Sequence, residues 1–135
     1  MHIPDGFIDL PTSAAFAAVA AAGVAISIRG AKSSLDEKTA PLAGLTATFI
    51  FAVQMLNFPV AAGTSGHLLG AGLAAVLIGP YAATLAITIV LILQALLFAD
   101  GGLSALGLSI FNMSLVAVWF GYVVFLLVKK IAPKK

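Results

Sequence analysis

The chain has 135 residues, of which 61% are apolar and 9% are charged, with a formal net charge of +2. Soluble domains carry about 25% charged residues. Between Thr39 and Val128 the only charged residue is Asp100. No water-facing surface can be assembled from such a stretch, which excludes a soluble enzyme, a disordered tail and a nucleic-acid-binding module. Most of the basic residues crowd the carboxyl end, at Lys129, Lys130, Lys134 and Lys135, where they read as membrane-flanking charge. Cysteine is absent, which removes disulfides and thiolate metal sites.

The expected architecture is an all-α, polytopic transmembrane helix bundle, one integral membrane domain over 1–135. A crossing helix needs about 20 mostly apolar residues. Residues 1–9 form an amino-terminal arm with a turn signal at Pro4-Asp5-Gly6. The first span is 10–28, entered through Pro11 and Thr12. A charged loop follows, and the second span is 40–58, with Pro41 tolerated in its first turn. The third span is 59–79, interrupted near 63–67 by Gly63-Thr-Ser-Gly-His67. The apolar run from Leu68 to Ala99 would be roughly 48 Å long as one helix, too long for a single crossing. Gly79-Pro80 is its natural break, so the fourth span is 81–99. Asp100-Gly101-Gly102 makes a turn, and the fifth span is 103–128.

Charge asymmetry orients these five spans. With the Arg29–Lys38 loop in the cytoplasm, the amino terminus lies outside and the lysine tail inside. His67 then falls in the outer half of the bundle, and Asp100 is external. The first apolar run does not read as a signal peptide, because acidic residues and no lysine or arginine precede it. Ala14, Ala18 and Ala22 recur every four residues, as do Ala17, Ala21 and Ala25. Such spacing serves either close packing inside the bundle or docking to a partner helix.

Chemistry is confined to few residues. The only imidazoles are those of His2 and His67. A free Met1 amine, the Met1–His2 peptide nitrogen and His2 Nδ1 can reach one metal ion, closing a five-membered and then a six-membered ring. The peptide nitrogen must lose its proton. Three in-plane nitrogens leave one corner open, and His67 can fill it. A planar four-nitrogen site suits Ni²⁺ or Cu²⁺ and can hold Co²⁺. The bland alternative makes His2 a frayed terminal residue. An ionisable residue beside a Gly-rich break in a span points to function, against the alternative of a histidine at the water interface. Asp5, Thr64, Ser65, Gln54, Asn57, Gln94, Ser109 and Asn112 are candidates to orient an imidazole. The span residues among them serve equally for helix-to-helix hydrogen bonds. For Asp100 a helix cap is the simpler reading, and attraction of cations at an external mouth the other. Gly63-Thr-Ser65-Gly66 also matches the short motif of an intramembrane serine protease. That chemistry needs a histidine from another span, and none contains one.

Met1-His-Ile-Pro-Asp-Gly-Phe7 together with Gly63-Thr-Ser-Gly-His67-Leu-Leu-Gly70 resembles the CbiM/NikM family. These are substrate-binding membrane subunits of energy-coupling-factor cobalt and nickel importers. Gly79-Pro-Tyr-Ala, Gln94 through Leu103, and Phe111-Asn-Met113 extend the resemblance over nearly the whole chain. It implies metal ligands from Met1, His2 and His67, and an arm inserted into the bundle. Ni²⁺ or Co²⁺ is then the cargo, with no resident cofactor. The implied setting is a prokaryotic cell membrane, with cobalt import feeding cobalamin biosynthesis. The implied partners are a transmembrane coupling subunit, cytoplasmic ATPase subunits and a small accessory membrane subunit; the small-residue spacing offers Ala14, Ala18 and Ala22 as the face that docks on the coupling subunit. Family members usually continue for further spans. A membrane protease using Ser65 and a stand-alone metal permease are the competing readings.

Overall fold

The computed structural model describes residues 2–60 and 65–132, with the backbone alone at Ser65. Helix α1 (Leu10–Ala31) starts where the Asp9 carboxylate accepts the Thr12 N–H at 3.0 Å, with Pro11 in the first turn. In the following loop the Asp36 carboxylate accepts the N–H groups of Lys38 and Thr39 at 3.0 and 2.7 Å, which opens α2 (Thr39–Gln54). The predicted second span runs to residue 58, but α2 stops at Gln54. The chain then turns into a two-residue strand, β1 (Phe58–Pro59), paired antiparallel with β2 (Ser65–Gly66).

The predicted third span, 59–79, is helical only over α3 (Ala71–Ile78) among the described residues. Eight residues rise about 12 Å, too short to cross a bilayer alone. Pro59 lacks a backbone donor. Gly70 adopts φ 71°, which a helix does not use and for which only glycine is unstrained. It also sits against Ile50, where a Cβ would press on the isoleucine side chain. The segment thus dips into the bundle as irregular backbone, which a membrane protein tolerates where it is buried in protein or lines a cavity.

Gly79 breaks the long apolar run as the sequence leads one to expect, and α4 (Pro80–Phe98) follows. Its neighbours are α1, α2, α3 and the last helical run, so it forms the axis of the bundle. Ala83, Ile87 and Leu91 on α4 pack in a core with Ile50, Ala74 and Val118. α4 ends with Ala99 in the left-handed region and the Asp100 N–H bonded to Gln94 O at 3.1 Å. After the 100–105 loop, a continuous helical run spans Leu106–Ile131. It comprises α5 (Leu106–Ser109), a π-helical stretch (Ile110–Val116) and α6 (Ala117–Ile131). The widened stretch is stitched to α4 by Ser114, whose hydroxyl donates to Thr84 O at 2.7 Å and lies 2.8 Å from Thr88 Oγ1.

Three runs, Leu10–Ala31, Pro80–Phe98 and Leu106–Ile131, are long and apolar enough to cross a membrane. Their outward leucines, valines and phenylalanines are exposed, as a lipid-facing surface requires. The bundle has two chemically opposite poles. Gly30 meets Tyr81, and Tyr81 stacks edge-on with Trp119 at 5.0 Å, so the end of α1, the start of α4 and α6 share one pole. Arg29, Lys32 and Lys38 belong there, with Lys129 and Lys130 farther along α6. At the other pole the Ser13 hydroxyl donates to Ser104 O, and Gly107 lies against Ala17. This pole carries Asp5, Asp9 and Asp100.

Candidate metal centre

The arm folds back over the 100–104 loop and is held by hydrogen bonds of its own. Gly102 N–H donates to Ile3 O at 2.8 Å. Asp5 Oδ1 accepts the Ser104 N–H at 2.8 Å and the Ser104 hydroxyl at 2.5 Å. These donors, the hydroxyl foremost, hold the Asp5 carboxyl below the usual carboxylate range. Gly102 is required by close approach, since a Cβ there would run into the backbone of Pro4 and Asp5.

This docking carries His2 inward until its side chain is only 4% exposed. Its Nδ1 lies 2.8 Å from Asp100 O and 3.0 Å from Asp100 Oδ1. The His67 ring meets it edge-on, with ring centroids 5.2 Å apart. His67 is 6% exposed, and its Nδ1 lies 3.0 Å from Leu68 O. Among the described residues, Nε2 of each imidazole is buried without a hydrogen-bond partner, and so is Asp100 Oδ2. Buried polar atoms are normally paired, so three orphans in one place ask for a ligand. Among the described residues no three His, Cys, Asp or Glu side chains form a ready-made cation cage. A site here must therefore draw on backbone nitrogen as well.

The structure brings His2 and His67 together, while Met1 lies outside the described residues. Asp5 touches neither imidazole; it fastens the arm. Gln94 also touches neither. Its Nε2 donates to Gln54 Oε1 at 3.0 Å, and Gln54 Nε2 donates to Leu69 O at 2.7 Å, so the pair ties α4 and α2 to the segment bearing His67. Asn112 is exposed on the π-helical stretch. The Ser65 side chain lies outside the described residues. Ala14, Ala18 and Ala22 are exposed on α1. Asp100 is a correction to the sequence reading: it caps no helix. The next helix begins beyond Ala105 without a side-chain cap, and the carboxylate faces His2 instead. The available signal was its isolation as the sole charge between Thr39 and Val128.

These features define a multi-pass membrane protein whose amino-terminal arm delivers a buried imidazole to a second one on an irregular, half-helical segment. The chain belongs to the CbiM family: the model for the cobalt uptake substrate-specific transmembrane region matches residues 2–135. A relative from Archaeoglobus fulgidus, provisionally named a fused nickel transport protein NikMN, is 46% identical over 125 residues, covering 93% of this chain and 41% of its own length. The fused nickel transport protein NikMN of Rhodobacter capsulatus is 41% identical, covering 86% of this chain and 33% of its own length. The cobalt transport protein CbiM of Geobacter sulfurreducens is 39% identical, covering 93% and 37%. All three names are those of transport proteins. The chain thus spans less than half the length of each. A crystal structure of a truncated transition metal transporter superposes with a TM-score of 0.91 at 36% identity, covering 100% of this chain and 63% of that one.

Proposed function

We propose that the chain is the metal-capturing part of an ATP-driven nickel or cobalt importer. The carrying observation is the burial of His2 against His67 by the folded-in arm, with Nε2 of His67 unpartnered among the described residues. In the loaded state the ion takes the Met1 amine, the Met1–His2 peptide nitrogen, His2 Nδ1 and a nitrogen of His67. His2 Nδ1 rests on Asp100 beforehand, so loading exchanges that contact for the metal. The ring closures favour a planar arrangement, which suits Ni²⁺ and accepts Co²⁺. The names of the relatives support the same two metals.

The orientation of the poles supports uptake from outside. Basic residues gather at one end and the arm at the other, which puts the arm outside by the positive-inside rule. Energy comes from partners: cytoplasmic ATPase subunits acting through a transmembrane coupling subunit, with a small accessory membrane subunit. Docking through the exposed Ala14, Ala18 and Ala22 face fits helix-to-helix approach in lipid.

The test is chemical blocking of the amino terminus. Acetylating the Met1 amine, or adding residues before it, removes one donor and spoils the chelate ring. Tight Ni²⁺ binding by the purified chain, read by calorimetry and metal analysis, is then expected to vanish. Undiminished binding by the blocked chain overturns the ligand assignment.

A further inference from the structure

The last helical run changes partner along its length. Its first part, α5 and the π-helical stretch, packs on α1, and its second part, α6, packs on α3. Each part is seated by a glycine. Gly107 lies against the backbone of Ala17, and Gly121 against the backbone of Gly72. The two glycines are 14 residues apart. An unbroken α-helix turns about 100° per residue, which brings such positions to within about 40° of one another and would present both glycines to the same neighbour. A π turn closes with one residue more than an α turn, and here the Ala117 N–H bonds to Asn112 O, five residues back. One extra residue turns the two parts by roughly 100° relative to each other and sets the glycines about 140° apart. The widened stretch is what lets one helix hold α1 with its first part and α3 with its second.

Both parts lead to the histidines. Leu106 and Ser109 of the first part line a small cavity together with His2 and the Asp100–Gly102 turn. α3, held by the second part, continues directly from the segment that bears His67. Resting on the metal-capture reading, we infer that the π-helical stretch is a register element: it keeps the two imidazoles within reach of one ion, and its relaxation to α-helix moves His67 away from His2 and frees the ion. The lock is Ser114, which is fully buried. Its hydroxyl proton goes to Thr84 O, so the Thr88 hydroxyl is the donor in the second bond. Thr84 and Thr88 lie one turn apart on α4, and the two bonds pin the widened turn to the axis of the bundle. Breaking them strands little. Serine and threonine hydroxyls can bond the carbonyl four residues back, which offers Thr84 O to Thr88 and Ile110 O to Ser114. Two arrangements with their polar groups satisfied are what a switch needs, and this one joins the His2 side of the bundle to the His67 side.

Two readouts test this on the detergent-purified chain with its native amino terminus. The chain has no cysteine, so spin labels at Leu103→Cys, beside the arm, and Leu73→Cys, on α3, report the separation of the two sides without metal. Both positions are exposed. Calorimetry with NiCl₂ on the unlabelled chain gives the affinity. Deleting Asn112, whose side chain is exposed, removes the extra residue. The label separation is then expected to shift by several ångström and Ni²⁺ affinity to fall about tenfold or more. Asn112→Ala removes the same side chain but keeps the residue count, and both readouts stay as in the unmodified chain. Ser114→Ala unlocks the stretch, so a second label separation appears and affinity falls. Ser27→Ala removes another buried hydroxyl, one bonded within α1 to Gly23 O, and changes neither readout. An unmoved label pair in Ser114→Ala overturns the register element, even where the deletion variant fails to fold. An equal effect of Asn112→Ala or Ser27→Ala overturns it too, as do labels that move while Ni²⁺ affinity holds. Labels that move as described in a chain whose unmodified form binds no Ni²⁺ sink the nitrogen-ligand reading and leave the register of the two sides standing.

Discussion

The two histidines are held by opposite means. His67 sits on a segment built into the bundle, between β2 and α3, with Gly70 wedged on Ile50 and Leu69 O tied to Gln54. His2 rides on an arm whose other residues are largely exposed, fastened through Ile3, Asp5 and the Asp100 oxygens. One imidazole is placed by folding of the core, the other by docking of an end. In the proposed site one of the four nitrogens is then fixed and the three on the arm can move, which would give an ion a way in and a way out.

The largest effects come from removing donors. His67→Ala leaves at most three nitrogens. The expected loss of Ni²⁺ affinity is at least the roughly 10- to 100-fold that outer partners of a metal site cost, with the arm still docked. An unchanged affinity removes His67 from the ligand set. Gly102→Ala attacks the mobile half. Its Cβ collides with the Pro4 and Asp5 backbone, an overpacking cost of about 1–3 kcal/mol, and the arm lifts while the bundle melts as before. Accelerated proteolysis of the arm together with weaker metal binding is the expected readout. Gln54→Leu attacks the fixed half. It strands Gln94 Nε2 and Leu69 O in the interior, at about 1–3 kcal/mol, and loosens His67 but not the arm. Adding Gln94→Leu recovers part of that loss, because one stranded group goes with it. If Gln54→Leu frees the arm instead, the two halves are not independent.

The fixed and moving halves were unequally legible in the sequence. Hydropathy and the charge gap locate α1, α4 and the last helical run, because lipid demands long apolar helices. The same logic overextends the third span. Apolar residues such as Val60 and Leu68–Leu69 satisfy a hydropathy count whether they are helical or not, and only Pro59, Gly66 and Gly70 hint at broken backbone. His2 and His67 stand out as the sole imidazoles in a chain almost without charge. Asp100 was misread because Asp-Gly-Gly is a turn signal by itself, and its partner lies 98 residues away. No local pattern encodes such a contact. The Gln54–Gln94 bond, 40 residues apart, is also non-local; the polar residues are visible in the sequence, but their pairing depends on the packing of α2 on α4.

The smallest effect separates arm docking from metal binding by pH. In the proposed site, forming the chelate would release the Met1–His2 amide proton, so affinity is expected to fall as pH is lowered. Docking of the arm follows a different group. The Asp5 carboxyl titrates lower in the folded chain than its ordinary value of 3.8, because its charged form accepts from Ser104. Its contribution is therefore complete above that ordinary value and is lost only as pH falls through the lowered one. Mild acid should strip Ni²⁺ while the arm stays protected from protease. Because the carboxylate is exposed, Asp5→Asn should loosen the arm only slightly at neutral pH, as the amide oxygen still accepts from Ser104. In that variant the part of the arm's acid sensitivity that Asp5 carries should disappear. Release of arm and metal over one common pH range would mean that the ion, rather than Asp5 and Gly102, holds the arm in place.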